Sequence, residues 1–267
     1  INEKIDGNFP LHHPDPTIPK NLKQLIKLVK KKKCDVGFAF DGDGDRLGGV
    51  DDKGNIIWAD KVVAFLARDV LKKKPKAKII LDIKTSQAVI DEIKKLNGIP
   101  ILWKTGHSLI KKKMKEIKSI FAGEMSGHIF FGDSYYGFDD AIYAAIRFLN
   151  LYSDLAEPLS EIFAKMPESY ATPELRFPTS ETEKFEIIKK IKNKLKKEKK
   201  KFIGIDGVRY VTKDGWWLAR ASNTENIIVA RCEAYTKKNL NKVKLNLRKN
   251  LKNQNNLTRS KRFTIKV

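Results

Sequence analysis

A chain of 267 residues, 41% of them hydrophobic, is long enough for two or more domains with cores of their own. Its net charge of +22 is mostly lysine, in runs such as Lys30–Lys33, Lys72–Lys74, Lys111–Lys113 and Lys196–Lys201 that lack interleaved aromatics, so they read as solvated helix faces and no dedicated nucleic-acid partner is expected. No apolar run nears the ~18 residues of a membrane span, no signal-peptide pattern opens the chain, and Cys34 and Cys232 form no C-x-x-C pattern, so a soluble, cytoplasmic protein without zinc or disulfides is expected.

Residues 1–20 are rich in Pro, His and Asp and should be irregular; His12-His13, with no third ligand nearby, reads as loop. Ile1 rather than Met opens the chain, which reads as a cut N-terminus. Leu22, Leu25, Ile26, Leu28 and Val29 recur at helical spacing, and the helix should stop in the lysine run. The apolar run Val36–Phe40 then reads as a buried strand that delivers a loop to a site, and helix, strand and loop read as half of a βαβ unit whose first strand is missing.

That loop is Asp41-Gly42-Asp43-Gly44-Asp45-Arg46. The glycines remove bulk and free the backbone, so three carboxylates can curl toward one point. Oxygen-only ligation favours a hard divalent cation, Mg²⁺ or Ca²⁺, and Arg46 would face any phosphate that the cation holds. An EF-hand would need Gly where Arg46 stands and Glu where Asp52 stands, after a helix rather than a strand. The remaining rival is a surface turn, which Asp and Gly also favour.

A hairpin around Asp51-Asp52-Lys53-Gly54 follows, and then strands alternate with helices: Asp60–Leu71 helix, Lys78–Asp82 strand, Gln87–Leu96 helix, Ile99–Trp103 strand, Ser108–Ile117 helix, Ser119–Ala122 strand. This pattern predicts parallel pairing and an α/β layer sandwich. Asp139–Tyr152 should be a helix capped by Asp139 or Asp140. The proline-bearing stretch from Met166-Pro167-Glu168 to Phe177-Pro178 reads as a boundary with a linker. A helix striped by Phe185, Ile188, Ile191 and Leu195, strands at Gly207–Val211, Trp216–Ala221 and Ile227–Ala234, and a closing helix Leu240–Leu251 predict a smaller α+β domain, with the last sixteen residues frayed.

Two further loops follow strands, where open α/β sheets bind ligands: Lys104-Thr105-Gly106-His107-Ser108 and Gly123-Glu124-Met125-Ser126-Gly127-His128. Glu124 with Ser126 offers a grip for vicinal sugar hydroxyls; His107 and His128 are acid/base candidates or structural histidines, and Lys84 and Lys104 are phosphate neutralisers or exposed lysines. Arg220-Ala221-Ser222-Asn223-Thr224-Glu225-Asn226 is an anion-binding inventory or a polar β-turn.

The triple-aspartate loop, the Lys104–Ser108 loop, the Gly123–His128 loop and the Arg220–Thr224 loop occur in the order found in the α-D-phosphohexomutases, and Met125 makes the chain most similar to the bacterial phosphomannomutase/phosphoglucomutase branch rather than the phosphoglucosamine mutases. The resemblance spans nearly the whole chain. It implies phosphohexomutase α/β layer domains followed by a smaller α+β domain: residues 1–55 as the remnant of a second domain, 56–167 as a third and 168–267 as a fourth. It implies an enzyme that interconverts hexose 6-phosphate and hexose 1-phosphate, of mannose or glucose, through a phosphoserine and a hexose 1,6-bisphosphate, with Mg²⁺ on Asp41, Asp43 and Asp45 and with Arg46 beside the phosphoserine. Glu124 and Ser126 would hold the sugar; Arg220, Ser222, Asn223 and Thr224 the phosphate not being transferred. Lys84, His107 and His128 would line the cleft, one of them a proton carrier. Two departures stand out: no Ser-His pair of the family's nucleophile loop occurs in the 267 residues, and Asn226 stands where the phosphate loop has proline. The expectation is a partner domain carrying the nucleophile, and a chain that is inactive alone; the alternatives are a non-catalytic phosphosugar-binding protein and a phosphoglucosamine mutase of the same family.

Overall fold

The computed structural model describes residues 1–4 and 6–252, which divide at Met166–Pro167 into two compact units. The frayed tail expected over the last sixteen residues lies, but for Lys252, outside the described residues. Among the described residues no helix is long and apolar enough to cross a membrane. Both cysteines are free thiols.

In the first unit, α1 (Lys23–Lys32) leads into β1 (Val36–Phe40), β2 (Leu47–Asp51) and β3 (Ile56–Ile57), an antiparallel meander in the order β1-β2-β3. The strand that reads as buried is only partly so, with Phe40 exposed, and it pairs antiparallel with β2: Phe40 opposes Leu47 and Val36 opposes Asp51, so the aspartate loop closes a hairpin. A tight return suits antiparallel pairing, whereas a parallel partner needs a crossover.

Next come α2 (Ala59–Lys73), β4 (Lys78–Asp82), α3 (Gln87–Lys95), β5 (Ile99–Trp103), α4 (His107–Ile117), β6 (Phe121–Gly123), β7 (Ile129–Phe131), α5 (Ala141–Ser153) and α6 (Leu159–Ala164). The sheet runs β5-β4-β6-β7, with β4 parallel to both β5 and β6 as the alternation predicted. β7 turns back antiparallel to β6. Side chains alternate across this sheet: Ile79 and Leu81 enter the main core, while Ile80 joins Ile110, Met114, Ala122 and Phe130 on the α4 side. Helix α2 is apolar on most of its surface and packs against β2, β6, α3 and α5, burying Val62, Val63, Phe65, Leu66 and Val70. At ~1.5–3 kcal/mol for each large buried side chain, it welds the hairpin sheet to the parallel sheet. The loops at the ends of both sheets are thereby carried on one core.

The second unit contains β8 (Tyr170–Ala171), β9 (Leu175–Pro178), α7 (Glu181–Lys197), β10 (Val208–Thr212), β11 (Gly215–Ala221), β12 (Ile227–Ala234) and α8 (Lys237–Lys252). All its pairings are antiparallel, in the order β10-β11-β12-β8 with β9 also on β12. The stretch read as linker therefore carries two short strands, and Pro178 sits opposite Ile227 at the end of β9. Ser180 and Glu183 form a capping box at the start of α7, satisfying donors that the first turn leaves open. Ile187, Ile191 and Leu195 of α7 and Val243 and Leu247 of α8 cover the sheet face that carries Trp217, Ala219 and Ala230.

Candidate active site

In the hairpin loop, Asp41 is buried and turns back on its own chain. Its Oδ1 accepts the main-chain N–H groups of Asp45 (3.1 Å) and Arg46 (3.0 Å), and its Oδ2 accepts Nε of Arg46 at 2.5 Å. Burial pushes this carboxyl up, but the Arg46 hydrogen bonds and charge outweigh it, and Asp41 lies below the usual carboxylate range. Arg46 also reaches Asp15, with Nη1 3.5 Å from Oδ2. Carboxylate oxygens of Asp41, Asp43 and Asp45 lie within 4.8 Å of one another. Asp45 is pushed up to about 6 by burial, by its hydrogen bond to Asp41 and by the charges of Asp41, Asp43 and Asp139. Three crowded oxygen donors and a carboxyl that resists ionising fit a hard divalent cation, which would relieve that repulsion.

The Gly123–His128 loop joins β6 to β7. It is closed by Glu124 N–H to His128 O (2.9 Å) and Gly127 N–H to Glu124 O (3.1 Å). It is seamed to the aspartate loop: Leu47 N–H donates to Gly127 O at 3.0 Å, and Arg46 forms an antiparallel bridge with His128. Gly127 has φ +104°, and a Cβ there would stand 3.0 Å from both N and O of Leu47, so only glycine allows this approach.

Glu124 is 1% exposed, and its Oε1 accepts the Gly106 N–H at 2.7 Å, bringing the Lys104–Ser108 loop to the same place. Burial, reinforced by the charge of Asp82, raises Glu124 to about 7, while the Gly106 N–H and the charge of Lys84 pull the other way. Lys84, in the turn after β4, is thus within electrostatic reach of Glu124; Lys104 is exposed. Ser126 Oγ lies 2.7 Å from His128 Nδ1, and the His107 and His128 rings stack at 5.6 Å. Burial holds His128 below the ordinary histidine range against the pull of Asp139.

Two aspartates that sequence reading did not assign to the site organise these loops. Asp82, fully buried at the end of β4, accepts Thr85 Oγ1 (2.8 Å) and Met125 N–H (3.4 Å) on Oδ1 and Thr105 Oγ1 (3.5 Å) on Oδ2. Asp139 accepts Lys111 Nζ at 2.8 Å and lies 3.2 Å from His107 Nδ1. The first unit therefore gathers Asp41, Asp43, Asp45, Arg46, His107, Glu124, Ser126 and His128.

Arg220, Ser222, Asn223 and Thr224 lie on the β11–β12 loop of the second unit. Ser222 Oγ accepts the N–H groups of Thr224 (3.3 Å) and Glu225 (3.1 Å), so this hydroxyl shapes the turn while its proton stays free to donate. Asn223 and Thr224 are exposed at its tip. Arg220 is buried and gives Nε to Asp206 at 3.0 Å. Gly207, at φ +75°, makes that pairing possible, since a Cβ there would stand 2.3 Å from Ala219 O. Buried Lys184 of α7 donates to Glu225 O at 3.1 Å. Asp206 and Lys184 also escaped sequence reading: each is a lone charged residue outside the loop it supports.

Family models of phosphoglucomutase/phosphomannomutase match most of the chain: alpha/beta/alpha domain II at residues 1–54, alpha/beta/alpha domain III at 58–170 and the C-terminal domain at 174–250. The chain belongs to this family. The phosphomannomutase/phosphoglucomutase of Pseudomonas aeruginosa is 45% identical over 249 residues, covering 93% of this chain and 54% of that protein. The phosphomannomutase of Methanocaldococcus jannaschii is 39% identical over 243 residues, covering 90% and 52%. A crystal structure of a phosphoglucomutase/phosphomannomutase family protein from Burkholderia thailandensis superposes with a TM-score of 0.87 at 41% identity, over 94% of this chain and 54% of that one. The chain spans about half the length of the curated relatives it matches. Family and fold class agree with the resemblance drawn from the four loops.

Proposed function

We propose that this chain carries the metal, sugar and phosphate sites of a cytoplasmic phosphohexomutase, which interconverts hexose 6-phosphate and hexose 1-phosphate of mannose or glucose. The observation that carries the reading is the seam between the aspartate loop and the Glu124–His128 loop, which sets a cluster of three carboxylates beside a buried glutamate and an imidazole. The names of the relatives support the same activity.

Asp41, Asp43 and Asp45 would hold Mg²⁺, which supplies charge neutralisation to the phosphoryl group in transfer. Arg46 adds a fixed positive charge at the same edge, its Nε already anchored on Asp41. Glu124 and Ser126 grip vicinal sugar hydroxyls, a pattern that survives when the sugar turns over as a hexose 1,6-bisphosphate. His128, held below the ordinary histidine range by burial, would accept a proton at Nε2 from the attacking hydroxyl; His107, stacked on it and beside Asp139, is the other proton-carrier candidate. Lys84 balances Glu124. Arg220, Ser222, Asn223 and Thr224 bind the phosphate that is not in transfer. The phosphoserine is assigned to a partner domain outside these residues, and the chain to three family domains, 1–55, 56–167 and 168–267, a division that the family-model limits support.

Fusing the chain to the first domain of a family member and assaying mannose 1-phosphate with Mg²⁺ and a hexose 1,6-bisphosphate tests the reading. Turnover is expected from the fusion and not from the chain alone. A folded fusion that binds Mg²⁺ yet converts neither mannose nor glucose phosphate overturns it.

A further inference from the structure

Beside the all-oxygen cluster lies a second group of ligating atoms with different chemistry. His128 Nε2 stands 3.3 Å from Asp45 Oδ2 and 3.9 Å from Asp139 Oδ2, and one ligand atom from each of the three residues lies within 4.8 Å of the other two. The arrangement is held by main chain on every side. His128 bridges to Arg46, Asp139 bridges to Phe130 of β7, and Gly44, next to Asp45, accepts the Ala141 N–H at 3.0 Å.

The side chain of Asp139 is 5% exposed. Its Oδ1 is taken by Lys111, whereas Oδ2, cut off from solvent, accepts no hydrogen bond although it lies 3.2 Å from His107 Nδ1. A buried carboxylate oxygen is normally paired. This one faces the Nε2 edge of His128. The other ring nitrogen, Nδ1, is engaged by Ser126 Oγ at 2.7 Å, with Glu124 Oε2 at 3.5 Å, and a partner on one nitrogen is what orients a histidine to ligate through the other. A tetrahedral ion with bonds of ~2.0–2.1 Å spaces its ligands ~3.3 Å apart. The Asp45–His128 separation has that value already, and Asp139 would close on His128 by about 0.6 Å.

We propose that Asp45, His128 and Asp139 form a second divalent-cation site, for an ion that accepts nitrogen such as Zn²⁺ or Co²⁺, sharing Asp45 with the all-oxygen site. Imidazole suits these ions and not Mg²⁺, so the two sites select differently. On the proposed mutase function, an ion here is inhibitory: it occupies the nitrogen that His128 uses for proton transfer and draws Asp45 away from Mg²⁺. The binding claim itself rests on the three residues alone.

Co²⁺ is the probe, because its visible absorption reports ligand type and geometry without any activity assay. The full chain, saturated with Mg²⁺, is titrated with Co²⁺, and one equivalent is expected to bind with a visible band. Losing an outer-sphere partner already weakens metal sites about 10–100-fold, so His128→Gln and Asp139→Asn should each raise the Kd for Co²⁺ by about tenfold or more. Asp139→Asn preserves volume and serves should His128→Gln fail to fold by circular dichroism. His12→Asn/His13→Asn should leave the band unchanged, and Asp43→Asn should lose Mg²⁺ binding while keeping it. The proposal is overturned if the wild type binds no Co²⁺ in excess Mg²⁺, if both site variants bind it as tightly as wild type, or if the His12/His13 variant abolishes the band. Because Mg²⁺ binding by Asp43→Asn is measured separately, failure of this site and failure of the all-oxygen site are told apart.

Discussion

Gly127→Ala tests whether the aspartate loop and the Gly123–His128 loop behave as one piece. The φ of +104° at Gly127 strains any L residue, and the added Cβ stands 3.0 Å from Leu47 N and O and 3.3 Å from Arg46 Cβ. Strain at such a backbone position costs ~1–3 kcal/mol. The neighbours that would have to give are backbone atoms, and moving them lengthens the Leu47 N–H to Gly127 O bond, a further ~1 kcal/mol. The sum is ~3 kcal/mol, and at ~2–4 °C per kcal/mol for a body of this size the first unit should melt ~6–12 °C lower. Gly137→Ala is the control: its φ is +80° but no atom lies within 4 Å of an added Cβ, so only the strain remains, ~1 kcal/mol. Calorimetric melting of both variants reads the difference, and Mg²⁺ titration reads its consequence, since displacing Arg46 disturbs Asp41 and Asp45. Equal melting temperatures for the two variants, with Mg²⁺ affinity unchanged, would refute the idea that the Leu47–Gly127 seam joins the loops.

Glu124 has its carboxyl raised from 4.5 to about 7 by burial, so folding favours its protonated form, and stability intact below pH 4.5 is lost as pH climbs to about 7. The loss is ~3 kcal/mol; Glu124→Gln should flatten that part of the melting-temperature profile, and parallel profiles would contradict the assignment. Asp82→Ala strips Thr85 Oγ1 of its 2.8 Å acceptor and removes the charge that helps raise Glu124. It should cost ~1–3 kcal/mol in denaturant unfolding and shift the Glu124 step to lower pH; an unmoved step contradicts the coupling. In the second unit, Asp206→Ala leaves the buried Arg220 guanidinium without its 3.0 Å partner, at a cost of ~3 kcal/mol, and on the proposed function should weaken phosphate binding measured by calorimetry. An unchanged urea midpoint for that unit would show that Arg220 is held by other means.

The four loops stood out because each is contiguous: carboxylates at alternate positions between glycines, or a glutamate and a serine on one turn, are visible in local spacing. Asp82 and Asp139 were not, for a physical reason. Asp82 looks like the polar last residue of an apolar strand, and its role appears only when the β4, β5 and β6 loops meet around it. Asp139 and Asp140 both read as helix caps; Asp140 does cap α5, accepting the Tyr143 N–H at 2.8 Å, while Asp139 turns instead to Lys111 and the histidines. Strands β7, β8 and β9 are two to four residues long, too short for a period of two to register. The antiparallel return of β1 onto β2 was hidden because an apolar run reads the same whichever partner it takes, and the half-burial of β1 does not show in its composition.

The charges tie these features together. A chain with net charge +22 gathers Asp41, Asp43, Asp45, Asp82, Glu124 and Asp139 into one end of its first unit. Lysine on the solvated faces gives the molecule a positive far field that draws anions in, an effect that salt screens beyond ~10 Å. At short range the order reverses, since crowded carboxylates repel a phosphate unless a cation stands between. The raised Asp45 and Glu124 register that crowding, and Arg46 and Lys111 offset only part of it. The site is therefore built with a deficit of positive charge at the point where the aspartate loop opens. On the proposed function, an incoming phosphosugar is admitted only with the divalent ion in place, so that loading with metal becomes a condition for binding as well as for transfer.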